Sequence, residues 1–137
     1  MDKMEHKELI KELQKCLQGI GDNDFEIVLQ RTIQSLMNYF DAECVGIWYR
    51  ESEEHSCIEE CHKDNSKELA QMVKIAMEQG NTESFIREVK AAGCDVIDGQ
   101  DSQSVVTLAV VNPQDNAEDS MILSMLSEVL SIRISQQ

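Results

Sequence analysis

The densest group of metal-ligating and redox-capable side chains in the chain is Cys57, Cys61 and His62, with His55 close by. Thiolate and imidazole are ligands that a borderline-soft ion such as zinc prefers, and paired thiols can sense an oxidant. On an extended chain Cys57 and Cys61 share a face but stand about 13 Å apart, so a bulge or turn at Glu59-Glu60 is needed to join them. With that bend, Cys57, Cys61 and His62 form a metal or redox site. Without it, the cysteines are small sheet residues.

Other chemistry is sparse. His6, His55 and His62 fall in no nucleophile or metal motif. Gly19 and Gly21 lack the preceding strand and third glycine of a dinucleotide fingerprint. Paired carboxylates such as Glu59-Glu60 carry little meaning in a chain with 26 acids. A non-catalytic protein is expected, and no cofactor is assigned. Trp48, the single tryptophan, either packs or lines a small-molecule pocket with Cys94 and Val96.

The 137 residues carry a formal charge of -14, and residues 91–137 hold seven acids and one base. The concentration of bases at Lys3, Lys7, Lys11 and Lys15 is interspersed with Glu5, Glu8 and Glu12. Phosphate backbones and anionic lipid require a positive footprint, so neither nucleic acid nor a membrane surface is an expected partner. No run reaches the ~18 apolar residues of a membrane span. MDKMEHKELI has no apolar signal core, and five cysteines are an odd number in a chain able to build a core without staples. Free thiols and a cytoplasmic location are expected.

The elements that would position these residues follow from periodicity. Leu9, Ile10, Leu13, Leu17 and Ile20 mark an amphipathic helix ending at Gly19 and Gly21. Asn23 and Glu26 form a capping box for a second helix, whose stripe is Phe25, Val28, Leu29, Thr32, Ile33, Leu36, Met37 and Phe40. Cys44 to Tyr49 reads as a strand, 50–55 as a polar turn, and Ser56 to Cys61 as its antiparallel partner. Helices follow over Leu69 to Met77 and Thr82 to Ala92, stopped by Gly80 and Gly93. Cys94 to Ile97 reads as a short strand and Asp98-Gly99 as a turn. Ser104 to Val111 is the most strand-like run, closed by Asn112-Pro113, and a helix runs from near Glu118 to Ser135. This segregation predicts an α+β domain with an antiparallel sheet flanked by helices.

The segments EIVLQRTIQSLMNYFDAECVGIWY and SVVTLAVVNPQDNAEDSMILSMLSEVLSIRI resemble the opening and the close of a GAF domain. The resemblance implies a GAF-like domain over 22–137, compact in its middle, preceded over 1–21 by an amphipathic helix that can serve dimerisation. Cyclic-nucleotide-binding members follow the late strand with asparagine, lysine, phenylalanine, aspartate and glutamate. Here Pro113 follows Asn112, and no phenylalanine precedes Glu118 and Asp119, so that ligand is not expected. Bilin-binding members use a Cys-His pair in or near a helix, which Cys61-His62 matches by letter alone.

The resemblance implies a sensory or regulatory module that binds a small ligand or protein partner and couples it to homodimerisation through its terminal helices. The alternatives are an interaction module with a filled, degenerate pocket, and a thiol-based redox or metal sensor.

Overall fold

The computed structural model describes residues 7, 8, 11, 25–78, 82–101, 103, 105–114 and 120–135. Helix α1 (Phe25–Phe40) leads into strands β1 (Cys44–Ser52) and β2 (His55–His62). A 3-10 turn at Asp64–Ser66 opens α2 (Lys67–Glu78), followed by α3 (Thr82–Ala91), β3 (Val96–Gln100), β4 (Val106–Val111) and α4 (Ser120–Ser135). The four strands form one antiparallel sheet in the order β2-β1-β4-β3. The protein is α+β, as the sequence predicts. The runs around Val45 and Leu108 are neighbours in that sheet, with Val45 opposite Val110 and Ile47 opposite Leu108.

Alternation along the strands divides the core in two. On the first face Val45, Ile47, Tyr49, Ile97, Val106, Leu108 and Val110 meet α1 and α4. All eight stripe residues of α1 are buried except Met37, which is half-buried and packs on the same cluster. On the second face Cys44, Ala109 and Val111 meet Val73 and Met77 of α2 and Phe85 and Val89 of α3. Helices thus cover both sides of β1 and β4, and every β4 residue is buried. That double cover is why the run from Val106 to Val111 shows no polar alternation.

The chain ends of the sheet are tied by side chains. Asn112 sits in the left-handed region with φ 51. Its Nδ2 donates to Glu43, its Oδ1 accepts from the Asp95 amide at 2.8 Å, and its own amide donates to Asp95 O at 2.6 Å. One residue thereby joins the starts of β1 and β3 to the end of β4. At the other end, buried Asp101 accepts from the amides of Val105 and Val106 at 2.7 and 3.1 Å, closing the β3–β4 connection.

Several boundaries differ from the sequence expectation: β3 starts at Val96 and not at Cys94, and β2 runs one residue further at each end than Ser56 to Cys61. Asp98-Gly99 lies inside β3, opposite Ala109 and Leu108, and is not a turn. Glycine is required there because a Cβ would overlap the α4 backbone at Leu123, 2.6 Å from its carbonyl oxygen. The hairpin turn is also shorter than 50–55, since β1 extends to Ser52 and only Glu53 and Glu54 lie between the strands. Gly93 ends α3 as expected, with φ +82, while Cys94 N donates to Val89 O at 3.2 Å. The expected N-terminal helix falls outside the described residues apart from Lys7, Glu8 and Lys11, which are helical and exposed. The Asn23 cap, the Gly80 stop, the boundary between 21 and 22, and Glu118 and Asp119 lie outside them too.

Candidate functional site

Trp48, Cys94 and Val96 all pack, half-buried, against the second core cluster. Trp48 lies in the row Ile58–Trp48–Thr107–Gln100, whereas Val96 lies in the row His62–Cys44–Val111–Val96. Four residues of strand separate these rows, so Trp48 and Val96 stand about 13 Å apart along the sheet. Arg50, two residues on, places its guanidinium carbon 5.5 Å from the Trp48 ring centroid. Between the rows, Gly46 faces α2, where Met77 Sδ and Cε lie 3.2 Å from the position of a Cβ and Val73 Cγ1 lies 3.5 Å away. The side chain missing at Gly46 leaves room on the sheet, and Met77 fills it.

Along β2 the ladder with β1 is unbroken from Cys44–His62 to Arg50–Ser56, so no bend occurs at Glu59-Glu60. Cys57 and Cys61 therefore stay on one face, half-buried against the first cluster, and remain separated. His62 points to the other face and pairs through Nδ1 with Glu60 Oε2 at 2.9 Å. The structure does not bring Cys57, Cys61 and His62 together.

It brings a different group together. The register shifts between Arg50 and Ser52, leaving Glu51 as an extra, unpaired residue while Ser52 pairs with His55. Neither Glu53 nor Glu54 has positive φ, so the turn lacks the left-handed geometry that matches strand twist, and the bulge absorbs the mismatch. One ligand atom each from Glu51, His55 and Cys57 falls within 4.8 Å of the others. His55 Nε2 stands 3.5 Å from Glu51 Oε2. Tyr49 stands directly opposite Cys57 in the ladder, so the two side chains share a face.

Thiol electrostatics follow from burial and acid density. Burial first, then Glu60 and Cys61, pushes Cys44 up to about 12. Cys57 is also raised, chiefly by burial and by Glu51 and Glu59, against a lowering contribution from Tyr49. Cys61 is raised by burial and Glu60. Thiols held protonated are poor nucleophiles, which weighs against fast redox sensing. A carboxylate joins them, since burial and neighbouring Glu26 raise Glu59.

The second distinctive surface lies on α4. Leu123, Leu126, Ser127, Leu130 and Ser131 face inward. Ser127 is buried yet satisfied, donating to Leu123 O at 2.8 Å, and its small size lets the helix sit close to the sheet. On the outer side Met121, Met125, Val129 and Ile132 are 74%, 63%, 42% and 59% exposed. The spacing of four, four and three forms one continuous apolar stripe. Sequence periodicity showed apolar residues all around this helix, but which half remained uncovered required the packed fold. No helix of the described residues is long and apolar enough to cross a membrane. No protein-family model matches the chain, and no curated protein matches it.

Proposed function

We propose that this chain is a non-catalytic regulatory module of GAF-like architecture that works by pairing with a second copy of itself through the outer face of α4. The observation that carries this reading is the exposure of Met121, Met125, Val129 and Ile132 on a helix whose only charged residues are Glu128 and Arg133. A helix apolar on every side is normally enclosed, and here the fold encloses only half of it. The stripe's spacing suits a helix–helix seam, and a two-fold pairing lets one patch cover its own copy. A contact with few charges also suits a chain carrying -14, whose copies otherwise repel.

Regulation in such a module is a population shift. An event that favours one packing of α1 and α4 on the first sheet face changes how well the outer stripe pairs. A small-molecule pocket on the second face has less support, because Met77 and Val73 occupy the space over Gly46. That favours the interaction role over a ligand-filled cavity.

Sedimentation of the full chain tests the reading. Wild-type protein should approach twice its 15.5 kDa at micromolar concentration. Met125→Glu with Val129→Glu should sediment as a monomer with an unchanged circular dichroism spectrum. A wild-type monomer, or a dimer that survives both changes, would overturn the proposal.

A further inference from the structure

We propose that Glu51, His55 and Cys57 bind a zinc-class divalent cation at the tip of the β1–β2 hairpin. The inference does not depend on self-association through α4. Three ligand atoms of the types zinc accepts, a thiol sulfur, an imidazole nitrogen and a carboxylate oxygen, already lie within 4.8 Å of one another. Bonds of about 2.0 to 2.3 Å in tetrahedral geometry require ligand atoms about 3.3 to 3.8 Å apart. The Glu51–His55 pair is in that range at 3.5 Å, and the sulfur, within 4.8 Å of both, needs to move inward by no more than about 1.5 Å.

The backbone serves the same arrangement. The bulge leaves Glu51 out of the ladder, with its carboxylate 3.5 Å from His55 Nε2 and within 4.8 Å of the Cys57 sulfur. Tyr49 stands opposite Cys57 in the ladder and shares its face, next to the three ligand atoms. Tyr49 also stacks edge-on against Phe25, the first residue of α1, with centroids 5.6 Å apart. A cation at the hairpin tip is thereby one side chain removed from the start of α1.

Binding converts the Cys57 thiol to a thiolate, releasing its proton to solvent, while Glu51 enters as carboxylate and His55 as neutral imidazole. No bond other than S–H breaks and no electron moves. The ligand set carries two negative charges that neutralise the ion, and water completes the fourth position.

The test is titration of reduced, metal-free full-length protein with Co2+ as a spectroscopic probe, then displacement by Zn2+. The expected result is a thiolate-to-cobalt charge-transfer band that saturates at one equivalent and is removed by zinc. Cys57→Ser should abolish the band, and His55→Ala and Glu51→Gln should each weaken Co2+ binding at least about tenfold. Cys61→Ser and His62→Ala should leave it unchanged. His55 and Glu51 are exposed, so their substitution tests the site even if a Cys57 variant folds poorly. Absence of the band in wild type, its persistence in Cys57→Ser, or unchanged affinity in both His55→Ala and Glu51→Gln would overturn the assignment.

Discussion

Gly99 of β3 lies directly beneath Leu123 of α4, so closely that a methyl group on Gly99 would overlap the Leu123 backbone, 2.6 Å from its carbonyl oxygen. The contact fixes the height of α4 above the sheet, and with it which half of the helix remains outside. Gly99→Ala forces helix and strand apart. It should cost about 1 to 3 kcal/mol in urea unfolding, by the mechanism of overpacking. An unchanged midpoint would mean that α4 is not seated on β3.

Asn112 combines a left-handed backbone with side-chain bonds to Glu43 and Asp95. Asn112→Gly keeps the backbone conformation and loses the bonds, whereas Asn112→Asp keeps an acceptor for the Asp95 amide but places a second carboxylate against Glu43. Asn112→Gly should lose about 1 to 3 kcal/mol. Asn112→Asp should lose more at pH 7 than at pH 4, where the paired carboxylates can share a proton. Denaturant midpoints of both variants at the two pH values check this.

Burial and Glu26 raise Glu59 above its ordinary 4.5. The folded protein therefore holds this proton more tightly than the unfolded chain does. Glu59 opposes folding above its folded pKa, and the penalty fades as pH falls through that value toward 4.5. Glu59→Gln should raise the melting temperature at pH 7, with the difference from wild type shrinking toward pH 4. A variant less stable than wild type at pH 7 would contradict the assignment.

Cys44 is fully buried and its thiol is pushed from 9.0 up to about 12. Near pH 8 its thiolate population is about a thousandfold below that of an ordinary thiol, before access is considered. Alkylation followed by peptide mass analysis should find Cys44 unmodified until the chain unfolds. Labelling of Cys44 under native conditions, at a rate independent of denaturant, would place it outside the core.

The fold was legible where a single physical cause dominated. The α1 stripe from Phe25 to Phe40 and the apolar run of β4 each reflect burial of a regular element, and periodicity reports that directly. Asp98-Gly99 misled because glycine serves turns and close helix–strand contact equally well, and local sequence does not distinguish a left-handed bend from the approach of Leu123. The candidate chemistry was less legible. Cys61 and His62 are adjacent in sequence but lie on opposite faces of a strand, while Glu51 and Cys57 meet only because the chain reverses at Glu53-Glu54 and bulges at Glu51. Alternation could exclude the first pairing, but no sequence signal located the bulge.

The outer stripe of α4 is the centre of the functional account, and its coverage in solution can be observed at the methionine methyl groups. Methyl NMR with a soluble paramagnetic agent, recorded across a dilution series, reads that coverage at Met121 and Met125, with Met77 as a buried reference. Pairing through α4 predicts that Met121 and Met125 are shielded at high protein concentration and become broadened on dilution, while Met77 stays shielded throughout. Met125 broadened equally at every concentration, in protein that sediments as a dimer, would place the contact elsewhere and contradict the account.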